Sequence, residues 1–380
     1  MSEKRGIKKY VAWFMESNAY KKYLLPGFIS QSVIIAGGYG TGRELVEYFA
    51  QYGPTGGLMG MFFVTIVLWA VVYAASFEFA RVFRSYDYRT FFSRLLGRGW
   101  VLYEICYMLL LLIVLGVVGA AAGSILKDSF GIHPIFGSAV FLILIAVLAY
   151  WGSEAIAVTL SWWSFILYAV YIVFLIAGIS KFGSAISQNL GSGIVKPGWP
   201  LGGFKYAFYN LGCFPAILFA LRYIETRKEA IISGILASFI TVIPGFFFYL
   251  VVIAFYPEIL NMEVPAYYAL QKIGVPALLA TYMIVLFGTL IETGTGFIHA
   301  VNERINSYLV DTKGYEMPRI WRGALAFTLA LIGIFISTFG LIALIAKGYG
   351  TISWGFFILH GVALFTIGIY KLHKKLSQQR

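Results

Sequence analysis

The chain has 380 residues, 60% of them hydrophobic and only 12% charged, with a formal net charge of +12. A soluble domain of this length needs more charge to cover its surface, so composition excludes a soluble globular protein and points to an all-α integral membrane protein. The Lys and Arg residues lie between apolar segments, which argues for a lipid bilayer and against nucleic acid as the partner, and the two cysteines, Cys106 and Cys213, sit inside apolar segments and make no disulfide framework.

Residues 1–23 carry Lys4, Arg5, Lys8, Lys9, Lys21 and Lys22 around Trp13 and Phe14, the pattern of a cytoplasmic tail with an interfacial helix. The apolar run that follows is too long for a signal-peptide core and lacks a small-residue cleavage pattern, so it reads as a retained first span, 24 to about 48. In its middle stands Ala36-Gly37-Gly38-Tyr39-Gly40-Thr41-Gly42-Arg43-Glu44. Each Gly costs roughly 1 kcal/mol against Ala inside a helix. Unsatisfied backbone in hydrocarbon costs several kcal/mol per group and is tolerated only against protein or a water-filled cavity. The segment reaches across a bilayer only if this stretch is included. It is therefore expected to cross as two half-helices with open backbone between them.

Span 2 is expected at about 57–83, followed by a loop with Arg84, Arg89, Arg94 and Arg98. Span 3, about 100–126, carries the small residues Gly116, Gly119, Ala120 and Gly123, a signature of close helix packing. Spans 4 and 5 fall at about 134–150 and 153–179, and a polar connection at 181–203 follows. Span 6, about 204–224, contains Tyr209-Asn210-Leu211-Gly212-Cys213-Phe214-Pro215, where Pro removes a helical hydrogen bond and Gly and Asn weaken the turn before it. Spans 7, 8, 9 and 10 are expected at about 230–255, 277–306, 320–338 and 352–372, with 341–346 too short to cross and read as a re-entrant segment or a cap.

With the N-terminus inside, alternation places 22 of the 29 Lys and Arg on the cytoplasmic side and both termini in the cytoplasm of a plasma (inner) membrane protein. The two breaks lie 173 residues apart, counted from Gly37 to Asn210. That shift carries span 2 onto span 7 and span 3 onto span 8; spans 4 and 5 meet 9 and 10 after a further offset of roughly twenty residues. Five spans per half invert the second half. The expected organisation is thus a tail at 1–23, a first five-helix repeat at 24–180, the extracytoplasmic connection, an inverted repeat at 204–372 and a cytoplasmic tail at 373–380, with helices 1 and 6 discontinuous. Paired interrupted spans in matching halves point to a binding site for a small-molecule solute.

At such a site Gly37, Gly38, Tyr39, Gly40, Thr41, Gly42 and Glu44 would face Tyr209, Asn210, Gly212 and Phe214. Half-helix N-termini near Thr41 and near Phe214-Pro215 favour a carboxylate. Tyr209 and Phe214 either stack on the solute or pack. Thr41 and Glu44 also fit a capping box, against the reading of Glu44 as a cavity carboxylate that pairs with an amine or carries a proton. The glycines lack the strand and spacing of a dinucleotide fingerprint. Arg43 is a candidate outer-gate partner of an acid, and Arg222 and Glu225, at the end of span 6, are candidates for cytoplasmic gate contacts. Glu292 lies mid-span in Thr289-Leu290-Ile291-Glu292-Thr293-Gly294-Thr295-Gly296, and a mid-membrane carboxylate signals function. Thr295 and His299 are expected to share its helix face. No nucleophile or zinc-helix spacing is present, so no enzyme activity, catalytic residue or bound cofactor is expected.

The ten-span repeat with broken spans 1 and 6 resembles the amino acid–polyamine–organocation superfamily with its LeuT-type fold. The stretch Gly38-Tyr39-Gly40-Thr41-Gly42-Arg43-Glu44-Leu45, together with Tyr209-Asn210-Leu211, resembles its YkvI-like branch. The resemblance implies that the open backbone of spans 1 and 6 holds the substrate and that spans 3 and 8 line it. It also implies a sodium site from span 8 hydroxyls and carbonyls of the first break, with Thr289, Thr293 and Thr295 as candidates and Thr293 and Thr295 foremost. Some proton-coupled relatives place a lysine in span 5; none stands between 153 and 179, which leans towards Na+, while Glu292 could equally carry H+. The expected function is secondary active transport of a small amino acid or related amine by alternating access. The alternative is a channel or a non-transporting sensor on the same scaffold.

Overall fold

The computed structural model describes residues 16–35, 37–151 and 153–378; most of the basic tail lies outside them. Among the described residues no strand is present, and seven helices are long and apolar enough to cross a membrane. With the shorter apolar helix Pro134–Leu148 and the two interrupted segments they make up the ten expected crossings. Large apolar side chains such as Phe63, Val71, Phe136, Ile176 and Phe335 are exposed on the outside of the bundle, as a lipid-facing surface requires.

The first span consists of α1 (Leu25–Ile34), a single turn α2 (Gly37–Gly40) and α3 (Arg43–Tyr48). Then come α4 (Pro54–Phe83), α5 (Tyr88–Leu96), α6 (Trp100–Phe130), α7 (Pro134–Trp151) and α8 (Ser153–Gly191). The arginine-rich loop is largely α5, an amphipathic helix whose Asp87 side chain accepts from Thr90 N at 2.8 Å and so caps its start. α8 runs past 180 with a kink at Phe182, so the first half of the expected polar connection is helical. The sixth span is α9 (Trp199–Asn210) followed by 3₁₀ helix at Leu211–Ala216 and Leu218–Tyr223. The chain ends with α10 (Arg227–Ile253), α11 (Pro265–Ile273), α12 (Pro276–Lys313), α13 (Arg319–Ser337) and α14 (Leu341–Ser377).

Two expectations need correction here. The segment 341–346 is neither re-entrant nor a cap: it forms the first turns of α14, which Gly340 (φ 81°) allows to start there. The polar Lys347-Gly348-Tyr349-Gly350 sequence made this stretch look like a boundary, yet Leu344, Ile345 and Tyr349 are all buried in the bundle. The second break is also not open backbone. Pro215 removes an N–H, and the chain tightens into i→i+3 bonds, such as Ile217 N to Phe214 O at 3.0 Å and Ala220 N to Ile217 O at 3.0 Å.

The helix pairings carry the symmetry of a repeat. α4 packs on α10 and α7 on α13; α6 meets α7 and α13, while α12 meets α13 and α7. α8 lies on α12 and α10, and its counterpart α14 lies on α6 and α4. Exchanging the halves maps α4–α10 and α7–α13 onto themselves and each of the other pairs onto another. The small-residue stripe of α6 is a packing surface: a Cβ at Gly123 would fall 2.4 Å from Pro134 O, and one at Gly116 would fall 2.3 Å from Ile336 Cγ2.

Candidate functional site

The first break lies between the end of α1 and the start of α3. Gly42 sits at φ 78°, a conformation that suits glycine, and turns the chain into α3. The carbonyls freed by this turn have protein partners: Tyr282 OH donates to Gly40 O at 2.9 Å, and Ala266 N donates to Thr41 O at 2.9 Å. A Cβ at Gly40 would meet Leu286 Cδ1 at 2.6 Å. α12 and α11 thus supply the hydrogen bonds and close contacts that irregular backbone in a membrane needs.

The capping box expected at Thr41 and Glu44 does not form. Thr41 Oγ1 accepts from Arg43 N at 3.2 Å, and the Glu44 side chain turns instead to the hydroxyl of Tyr209, which donates to it. Glu44 is 4% exposed. Tyrosines surround it: Tyr209 stacks on Tyr349 with ring centroids 4.6 Å apart and on Tyr48 at 5.5 Å, and Tyr48 OH donates to Ile345 O at 2.7 Å. Tyr39 and Tyr206 also belong to this cluster. The structure therefore brings Tyr39, Glu44 and Tyr209 together. Asn210 is buried, and its amide donates to Tyr206 O at 3.0 Å. Gly212 packs where a Cβ would meet Leu110 and Phe356. Phe214 lies elsewhere, inside an aromatic cluster with Tyr73, Phe77, Phe91 and His360.

A cavity of about 400 Å³ opens on the other side of the break. Ser32 and Ile35 from the end of α1, Tyr107 from α6, Tyr168 from α8, and Thr289, Glu292 and Thr293 from α12 line it. Along α12 the lining continues through Gly296 and Phe297, so the wetted face follows i, i+3, i+4 and i+7 from Thr289. Thr295 falls off that stripe; it is buried, and its hydroxyl donates to Ile291 O at 2.7 Å. Thr289 and Thr293 donate to Val285 O and Thr289 O, both at 2.9 Å. Among the described residues no three His, Cys, Asp or Glu side chains gather as a metal site.

Side-chain networks close both ends of this region. Arg43, 4% exposed, donates to Leu260 O at 2.8 Å and Met262 O at 3.0 Å and pairs with Glu47 at 2.9 Å. At the opposite end Lys22 pairs with Glu225 at 2.7 Å and Glu229 at 3.0 Å, and Arg81 donates to Glu225 O at 3.1 Å. Glu225 is thus a bridging residue, whereas Arg222 folds back onto Phe219 O of its own segment. Sequence reasoning missed Lys22, Arg81 and Glu229 as partners of Glu225. One signal was available: Thr226 and Glu229 form the capping box that starts α10, and Glu229 Oε2 also accepts from Glu225 N at 2.8 Å. It missed Tyr48, Tyr107, Tyr168 and Tyr349 as well, whose spacing in the chain carries no signal for their meeting.

No family model matches the sequence, and no curated protein matches it. Solved structures do match in shape. The crystal structure of MhsT in complex with L-phenylalanine superposes with a TM-score of 0.54 at 16% identity, covering 93% of this chain and 98% of that one. The Eremococcus coleocola manganese transporter in complex with an aromatic bis-isothiourea substituted compound gives 0.47 at 14% identity over 92% of this chain and 78% of that one. A substrate-bound outward-open Na+-coupled sialic acid symporter gives 0.46 at 14% identity over 92% and 88%. The chain is a multi-pass, all-α membrane protein with the LeuT-type fold.

Proposed function

We propose that the chain is a secondary active transporter of a small amino acid or related amine, working by alternating access and coupled to Na+ or H+. One arrangement carries this reading. An interrupted first span packs against a 3₁₀ sixth span, with a cavity to one side and a side-chain closure at each end. A plain helical bundle has no use for such an arrangement. The fold shared with MhsT, which was crystallised with L-phenylalanine, supports an amino acid or amine as the solute class. We place the chain in the amino acid–polyamine–organocation superfamily, near its YkvI-like branch, on the motifs around Gly40 and Asn210. We place it in the plasma membrane with both termini cytoplasmic, so that Lys22, Arg81 and Glu225 form the inner closure and Arg43 the outer one. Thr289, Thr293 and Glu292 are the candidates for the coupling ion; of the hydroxyls proposed for sodium, Thr295 is the one outside the cavity lining.

The test is uptake of radiolabelled amino acids and amines into proteoliposomes under imposed Na+ and H+ gradients. Saturable accumulation that collapses with the gradient is expected. Flux that rises linearly with concentration in any gradient would mean a channel instead.

A further inference from the structure

We propose that Glu44 is a proton-binding site, and that the proton it carries is the ion coupled to transport. This deepens the transport reading and rests on it.

Glu44 is buried where α3, α9 and α14 meet, and among the described residues its hydrogen bond comes from the Tyr209 hydroxyl. Among the described residues no Lys, Arg or His is within ion-pair distance of it. Its neighbour Arg43 is committed to Glu47 and to the carbonyls of Leu260 and Met262, so those two opposite charges offset each other. The titratable groups that face it are Tyr39 on α2, Tyr48 on α3, Tyr206 and Tyr209 on α9, Cys213 on the 3₁₀ stretch and Tyr349 on α14. All six of these faces are neutral hydroxyls or a thiol in their ordinary state.

A buried carboxylate without a counter-charge is expensive, and the usual resolution is to take up a proton. Hydronium from bulk solvent gives up one proton and becomes water, an O–H bond forms on one carboxylate oxygen, and Tyr209 continues to donate to the other. In that state the tyrosine stack between α9 and α14 closes over a neutral group. Loss of the proton leaves a bare charge beneath Tyr209 and Tyr349 and favours the arrangement that lets water in. Because α3 carries this carboxyl, α9 binds it through Tyr209 and α14 stacks on Tyr209 through Tyr349, its protonation biases the seam between the first, sixth and tenth spans.

The experiment is infrared spectroscopy of the purified full-length chain in lipid nanodiscs at neutral pH. A protonated-carboxyl C=O stretch is expected, lost in Glu44→Gln and kept in Glu292→Gln. Glu44→Gln keeps the acceptor oxygen for Tyr209, and an unchanged melting temperature will confirm that it folds. A band that survives in Glu44→Gln, or no band at neutral pH, would overturn the assignment. In proteoliposomes, uptake driven by a proton gradient without sodium should fall at least tenfold in Glu44→Gln. Uptake that needs sodium and ignores Glu44→Gln would overturn the coupling role and leave the transporter reading intact. Absence of any gradient-driven uptake would remove the transporter reading, with the infrared band still deciding whether Glu44 holds a proton.

Discussion

Phe214 and Tyr209 stand five residues apart on the same interrupted span, and side-chain surroundings assign them opposite tasks. Phe214 is 1% exposed, its ring set against Phe91, with centroids 5.2 Å apart, and against His360 at 4.7 Å. His360 itself is held by Ser76 Oγ at 2.8 Å. This is core packing, so Phe214→Ala should destabilise the fold by about 3–5 kcal/mol, the usual toll of removing a buried Phe. A lowered melting temperature in detergent, with solute affinity per folded molecule unchanged, is the expected result; loss of affinity at full stability would return Phe214 to the solute site. Glu292 illustrates the complementary case. Its position on the sequence predicted function, and the structure sets it on a cavity wall, while Thr295, three residues on, turns into the protein.

Among the elements, the first span depends most on a single backbone angle. Gly42 holds φ 78°, and a Cβ there would also press against Phe248 at 3.0 Å and Pro265 at 3.3 Å. An L-residue in that conformation costs roughly 1–2 kcal/mol before any contact is counted. Gly42→Ala should therefore straighten or displace α3 and reduce uptake severalfold while membrane insertion stays normal. Wild-type uptake by Gly42→Ala would show that the bend is not needed. The sixth span solves the same problem differently. Pro215 forces the loss of one bond, and the chain around it tightens into i→i+3 bonds instead of opening.

Across the whole molecule, ion-pair networks stand at opposite ends, Lys22 with Glu225 and Glu229 at one and Arg43 with Glu47 at the other. The Lys22 ammonium is held above its ordinary value by its hydrogen bonds to Glu225 and then Glu229. A raised lysine keeps its charge at every pH below about 10.4 and loses it only above its folded value. Physiological pH changes leave this cation in place, and mutation is the way to release it. Lys22→Gln should open the inner end and expose the buried Thr289 on the cavity wall. The readout is labelling of Thr289→Cys by a membrane-impermeant thiol reagent, in a chain whose Cys106 and Cys213 are replaced by Ser. Labelling should speed up severalfold from the cytoplasmic side; an unchanged rate would mean that the Lys22 pairs do not hold the closure, as many solvent-exposed ion pairs do not.

Hydropathy, glycine placement and the 173-residue offset were enough to read a ten-span membrane protein with paired irregular spans, because a bilayer punishes unsatisfied backbone and buried charge wherever they occur in the chain. Those penalties are local, so residues 36–44 and 209–215 announce themselves without knowledge of any neighbour. Which groups meet is not local. Glu44 and Tyr209 are 165 positions apart, and Lys22 and Glu225 are 203 apart. The two freed carbonyls are satisfied from α12 and α11. Whether a carboxyl caps its own helix or faces a tyrosine, and whether a proline opens a gap or tightens a turn, depends on what packs against it, and only the tertiary structure supplies that.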